Sequence, residues 1–456
     1  MIRKLPKVHF VVFATAWGSA HGGINAFNRD FCGALAKCLK GTIACIVPAA
    51  SIDEQNDARR QGVVLSPLGS VSTDKFDSRS LPSVLEIADF TEVEYWIGHD
   101  IITGEFATTV RNQAGKGSLA IIMHQSYEAY AEVKHSIADS DKALRQKDIF
   151  EKADKSFAIG PLLHKRLLDW SAKGQLIVPG LNIVEHRPAE NALKVVVFGR
   201  LTRDNTLIKG IELAGYSVAE AIKRTRAAHS NSIVADTLIK FIGTDPQDPY
   251  AKTIKSGIEK RAGLPVNVSL IPFVSARDLI RHIKGSNLSM MLSWHEGFGL
   301  TAWESIGAGI PLIISRKSGV YELLKDHGGP ACGCVKSIEV LGSSSTTEPF
   351  QEVDLEAAAA AVLDTTRDIK AAIRDAQYLR NFLKEVGYTW ESAALKFIHA
   401  LEQESYLRTN SSRSRSSPAA RRSQNQRLRT RTRRHSSIGK QEIQKLFEHR
   451  GNIRRL

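Results

Sequence analysis

The 456-residue chain predicts an α/β protein made of two doubly wound parallel sheets followed by a basic tail. Three observations lead there. Short apolar runs of strand length alternate with helical segments, the pattern of parallel strands covered by helices on both faces. A unit of strand, glycine loop and helix opens each half, at residues 8–38 and again from Lys194. A polar, proline-containing stretch at 183–193 lies between the halves, as a linker does. The length also exceeds what one hydrophobic core usually serves.

In the first half, residues 8–14 are β-branched and aromatic and run into Trp17-Gly-Ser-Ala-His-Gly22-Gly23. The helix that follows carries Ile24, Phe27, Phe31, Leu35 and Cys38 on one face. This order places backbone N–H groups at the carboxyl edge of the sheet, where such sheets bind ligands. The loop is not a G-x-G-x-x-G fingerprint, which argues against a nicotinamide cofactor. Further strands are expected at 42–47, 62–66, 95–98, 119–123, 156–159 and 176–178. Two of them end in histidine, at Gly98-His99-Asp100 and Met123-His124-Gln125-Ser126, and both imidazoles are expected on the rim of a cleft.

The second half begins at Lys194-Val-Val-Val-Phe-Gly-Arg200, with strands expected at 240–243, 268–273 and 287–292 and helices at 251–262 and 276–284. Residues 354–384 read as alanine-rich and helical and 389–404 as a last amphipathic helix. From Thr409 the chain has scarcely any large apolar side chain until Ile438, so it should be disordered, with a transient helix at 442–453. Fifteen of the 62 basic residues but only two of the 48 acidic ones fall from Arg408 onward. The net charge of +14 therefore belongs almost wholly to the tail, which reads either as a solvated segment or as one drawn to nucleic acid or an anionic membrane surface.

Five cysteines without framework spacing fit reduced thiols and a cytoplasmic setting. The charged start and the short run at 10–14 imitate a signal peptide faintly but read as a first strand, and no run reaches membrane-spanning length. Asp139-Ser-Asp141 spells D-x-D in a polar helical stretch expected to lie away from the carboxyl edges. No metal constellation is evident.

The most informative stretch is residues 288–314. An apolar strand of Leu288, Met290, Met291 and Leu292 turns through Gly297 and Gly299 into a helix bearing Leu300, Trp303 and Ile306. Glycines at that joint let the backbone approach a ligand, and a helix start presents unpaired N–H groups suited to phosphate. Glu296 and Glu304 flank the turn, and carboxylates accept hydrogen bonds from vicinal hydroxyls.

Glu296-Gly-Phe-Gly-Leu-Thr-Ala-Trp-Glu304, continued by Gly309-Ile-Pro311-Leu-Ile, resembles the E-x7-E signature of retaining glycosyltransferases of the GT-B fold. The resemblance covers about residues 8–404 and implies two facing Rossmann-like domains. These would be an acceptor domain at 1–182, the linker at 183–193, a donor domain at 194–388, a crossover helix at 389–408 and the tail at 409–456. It also implies transfer of a sugar, of hexose type, from a nucleotide-sugar donor to an unidentified acceptor, without cofactor or metal.

By matching position, Gly22 and Gly23 would face the sugar and its diphosphate, and His124 the reacting sugar, with His99 as a further rim residue. Arg200 and Lys209 would hold the diphosphate together with the helix start at Gly297, Phe298, Gly299, Leu300 and Thr301. Val274 would lie at the nucleobase edge, Glu296 on the donor-sugar hydroxyls and Glu304 on the ribose. Lys317-Ser-Gly-Val-Tyr-Glu322 matches a loop and short helix, with Ser318 where a glycine is usual. The lysine follows Arg200 by nine residues where the family has about five. Either the loop bulges so that Lys209 still reaches the phosphates, or Arg203 replaces it. A catalytically degenerate binding module using the tail, and a GT-B sugar-nucleotide epimerase or phosphorylase, are the alternatives.

Overall fold

The computed structural model describes residues 9–414 apart from 40, 70–75, 77–79, 88–91, 135–136, 171–172, 190–191, 200–205, 229–232 and 344–349. It contains two wholly parallel sheets. The first comprises β1 (Phe10–Phe13), β2 (Ile43–Val47), β3 (Val64–Pro67), β4 (Tyr95–His99), β5 (Ser118–Met123), β6 (Lys155–Ile159) and β7 (Gln175–Ile177), in the order β3-β2-β1-β4-β5-β6-β7. The second comprises β8 (Leu193–Phe198), β9 (Thr237–Ile242), β10 (Asn267–Ile271), β11 (Leu288–Met291), β12 (Leu312–Ser315) and β13 (Lys336–Ile338), in the order β10-β9-β8-β11-β12-β13. Each order reverses direction once, between β1 and β4 and between β8 and β11. Loops leaving these strands diverge to opposite faces and open a crevice at the carboxyl edge.

Burial follows from this layering. β1, β2 and β11 are buried at every residue, whereas the edge strands β7, β10 and β13 are partly exposed. Val11, Phe13, Ile46, Trp96 and Ile121 build the first core, and Val195, Val197, Phe241, Leu288 and Ile313 the second. Each such side chain contributes roughly 1.5–3 kcal/mol on leaving water. The Trp96 indole satisfies its N–H on the Lys116 carbonyl at 2.8 Å, so a polar atom enters the first core without going unpaired.

Tryptophans fasten the halves to one another. The Trp303 indole donates to the Pro179 and Gly180 carbonyls at 3.1 and 3.2 Å, and the Trp390 indole to Asn182 Oδ1 at 2.9 Å. The last helix, Trp390–Ser414, begins at this junction. Its Trp390 ring meets Phe27, and Phe397 lies 5.2 Å from Phe31 and 4.3 Å from Phe157, so this part of the helix packs on the first sheet's layer.

Three features refine the expected elements. The helical stretch expected at 354–384 consists of two helices, Glu352–Arg367 and Ile369–Glu385, because Asp368 leaves the helical conformation at φ −133° and ψ 73° and its carboxylate caps the Ala371 N–H at 2.9 Å. The last helix runs from Trp390 to Ser414. β13 was not anticipated, since Lys336-Ser-Ile338 is too short and too polar to read as a strand without its neighbour β12. The expectations for residues 415–456, including the helix at 442–453, lie outside the described residues. All five cysteines are free, and among the described residues no helix is long and apolar enough to cross a membrane.

Candidate active site

The carboxyl edges of both sheets line one cavity of about 620 Å³. Gly22, Gly23, His99, His124, Lys209, Val274, Glu296, Phe298, Gly299, Leu300, Thr301 and Glu304 all border it. Gly297 lies behind the wall, where a β-carbon would sit 2.8 Å from the His124 carbonyl oxygen, so the two sheets' loops meet through bare backbone. Arg200 and Arg203 lie outside the described residues.

The turn after β11 is fixed from three sides. The Trp294 N–H donates to the Ile208 carbonyl, the Glu296 N–H to the Lys317 carbonyl and the Gly319 N–H to the Glu296 carbonyl, all within 3.1 Å. Ser318 caps the next helix, Gly319–Asp326, by accepting the Tyr321 N–H, which gives the serine a role of its own at this place. Gly299, at φ +103°, holds a left-handed conformation that lets the helix Leu300–Gly307 start toward the cavity. The helix Gly23–Cys38 starts beside it, close enough that a β-carbon on Gly23 would touch Leu300 Cδ1 at 3.4 Å. Two helix N-termini, one from each sheet, therefore bring partial positive charge to one place.

Lys209 ends the short helix Thr206–Lys209, which carries it into the cavity despite the long spacing from Arg200. Its Nζ donates to Glu296 Oε2 at 2.6 Å. Burial alone would lower the ammonium's pKa, but the Glu296 carboxylate and the Tyr130 hydroxyl outweigh it and raise it above the ordinary value. Tyr130 comes from the other half, on the helix Tyr127–Lys134, with its ring edge-on to His295 at 5.6 Å. Sequence reasoning missed it, because nothing in Tyr127-Glu-Ala-Tyr130 marks a contact with a lysine 79 positions away.

The Glu304 carboxyl is raised to about 8, first by burial and then by the nearby Asp30 carboxylate. Asp30 is itself held by Arg29 at 2.6 Å and by Asn182 at 3.0 Å.

His99 borders the cavity but stands deep in it. It is 1% exposed and lies beneath His124, with Nδ1 2.9 Å from His124 Nε2. Burial brings His99 down to about 3, and burial together with His99 holds His124 well below the usual imidazole range. Asp100, also missed, adopts φ +45° and is fully buried. Its carboxylate accepts the His124 N–H at 2.9 Å and the Gln146 amide at 2.8 Å, pinning the loop that carries His124. Burial nevertheless raises it to about 7. Its place directly after His99 at a strand end was the available signal.

Asp139 also departs from expectation. It borders the cavity, ion-paired to Lys142 at 3.0 Å and Lys134 at 3.7 Å, so two ammonium groups already occupy this carboxylate. Among the described residues no group of three His, Cys, Asp or Glu side chains could hold a metal ion.

The model of the family 4 glycosyltransferases in conflict systems matches residues 11–397. The chain belongs to that family. No curated protein matches it. Among solved structures, the glycosyltransferase is similar to a sucrose-phosphate synthase from Thermosynechococcus elongatus, at 17% identity and TM-score 0.65, covering 88% of this chain and all of that one. It is also similar to Anabaena HepE in complex with UDP and glucose, at 14% identity and TM-score 0.60, covering 87% of this chain and all of that one. A third is WaaG, a glycosyltransferase of lipopolysaccharide biosynthesis, at 12% identity and TM-score 0.56, covering 84% of this chain and 98% of that one. These likenesses establish the GT-B fold.

Proposed function

We propose that this glycosyltransferase moves a hexose from a nucleoside diphosphate donor to an acceptor hydroxyl with retention of anomeric configuration and without a metal. The observation that carries the proposal is the convergence of Lys209, Glu296 and two helix N-termini on one interdomain cavity. HepE, whose fold is shared, was solved with UDP-glucose as well as with UDP and glucose.

In the reaction the bond from the sugar's anomeric carbon to the diphosphate oxygen breaks, the acceptor oxygen attacks from the same face, and its proton passes to the departing phosphate. Charge develops on the leaving diphosphate and on the sugar ring together. Lys209 keeps its positive charge through the neutral range and sits where it can neutralise the first, with the helix N-termini adding fixed dipoles. Arg200 would join it by matching position. Glu296, already hydrogen-bonded to Lys209, would exchange part of that bond for hydroxyls of the sugar, and Glu304 would take the ribose. Val274 offers the nucleobase edge, where its carbonyl accepts the Ser19 hydroxyl from the other half at 3.5 Å. The tail from residue 409 would supply attraction to an anionic partner such as nucleic acid or a membrane surface.

A thermal-shift screen of nucleotide sugars, followed by product analysis by NMR, tests this. One donor should stabilise the protein selectively, and the transferred sugar should keep its anomeric form. Inversion would reject the retaining mechanism, and no stabilisation by any donor would reject the site.

A further inference from the structure

The buried groups under the cavity floor form a chain of fixed polarity. Asn28 is fully buried on the helix Gly23–Cys38. Two thiols set its amide: the Cys32 S–H donates to Oδ1 at 3.3 Å, and Nδ2 donates to Cys45 Sγ at 3.4 Å. Oδ1 also lies 3.1 Å from His99 Nε2. A carbonyl oxygen can only accept, so His99 carries its proton on Nε2. A neutral imidazole has a single N–H, which leaves His99 Nδ1 bare. That atom is 2.9 Å from His124 Nε2, which must therefore donate. By the same count His124 Nδ1 is bare, and it has no partner among the described residues.

We propose that Asn28 and His99 act as positioning residues that fix the tautomer of His124 and present its Nδ1 to the cleft as an obligate hydrogen-bond acceptor. The inference deepens the glycosyltransferase reading and rests on it for the identity of the ligand, a sugar hydroxyl that donates to Nδ1. The main chain reinforces the arrangement. The His99 N–H is held by Thr103 Oγ1 at 2.8 Å, and the His124 N–H by Asp100 at 2.9 Å. The Phe27 ring stands edge-on to His124 at 5.0 Å and limits its rotation. With this polarity His124 cannot donate to a phosphate oxygen, so it recognises the carbohydrate and leaves the diphosphate to Lys209. The cysteines gain a purpose too, since Cys32 and Cys45 orient the amide on which the chain depends.

Long-range proton–nitrogen NMR of the full chain, labelled with ¹⁵N-histidine, reads the tautomers directly and needs no activity. Both His99 and His124 should be neutral and protonated on Nε2. A proton on Nδ1 of either would overturn the inference. In Asn28→Ala the His124 signal should split between tautomers, with kcat on a nucleotide-sugar donor falling about tenfold, the worth of one buried hydrogen bond. Affinity for the nucleoside diphosphate should stay within about twofold, because the contacts that hold the nucleotide are untouched. An unchanged tautomer, an unchanged kcat, or an equal loss of nucleotide binding would each contradict the role. Should Asn28→Ala fail to fold, the wild-type spectrum decides. If no nucleotide sugar is turned over, the spectrum still judges the tautomer while the functional reading fails separately.

Discussion

Glu304 makes nucleotide binding depend on pH in a way that can be worked out beforehand. Its carboxyl is raised to about 8 in the unliganded protein, by burial and by Asp30. Only the carboxylate can accept from both hydroxyls of a ribose, so binding must first remove a proton. At pH 7 the protonated form outweighs the ionised one by about tenfold, which weakens binding about elevenfold, or roughly 1.4 kcal/mol. Raising the pH from 7 to 9 should therefore strengthen nucleoside diphosphate binding about tenfold, with most of a proton released per site at pH 7. Lys209 is raised and His124 lowered, so neither changes charge in this window. Asp100 titrates near 7 and would contribute, but it contacts the loop of His124, not the ribose site.

Glu304→Gln separates the two carboxyls. Calorimetric titrations in buffers of different ionisation enthalpy give affinity and proton release together. The variant should bind more weakly at pH 9 and lose most of the pH dependence. A wild-type affinity that is flat between pH 7 and 9, or a slope that survives in Glu304→Gln, would refute the assignment. The sign for folding is opposite. A carboxyl whose folded value lies above its unfolded one contributes stability that is full below the unfolded value and is lost as pH rises toward 8. The unliganded wild type should thus gain less stability than Glu304→Gln, or lose more, across that span.

Lys209→Met should abolish turnover and also leave Glu296 half-buried without its cation. Glu296→Gln added to it should restore part of the lost thermal stability though none of the activity, as the pair's coupling requires. Asp100→Ala strips acceptors from the buried His124 N–H and the Gln146 amide, and denaturant unfolding should show a loss of about 2 kcal/mol or more. Gly297→Ala puts a methyl 2.8 Å from the His124 carbonyl, so circular dichroism should stay normal while donor turnover falls sharply because the halves are held apart.

What could be read from the sequence divides along the range of the interactions. Parallel strands buried on both faces need continuous apolar runs, so β1, β2, β5 and β11 stood out, and each chemically distinctive residue at their carboxyl ends could be placed on the cavity side. Lys336-Ser-Ile338 gave no such signal, because an edge strand covered on one side takes its hydrogen bonds from a neighbour instead of carrying its own apolar pattern. Depth was equally hidden. His99 and His124 look alike in the sequence, both following apolar strands, yet one packs under the other because β4 and β5 are adjacent and Asn28 of the helix Gly23–Cys38 reaches His99.

The same limit explains Tyr130 and Asp139. A lysine's partner across a cleft is set by how two sheets are held together, and that is fixed here by Trp303 and Trp390 reaching the carbonyls and amide of residues 179–182. Those indoles appear in the sequence only as tryptophans on helices. Their consequence is that Lys209, brought in by its own short helix, meets both Glu296 from its own half and Tyr130 from the other. The cation proposed to receive the leaving group is thus held partly by the partner domain, and its electrostatic strength in the cavity depends on the two halves staying closed.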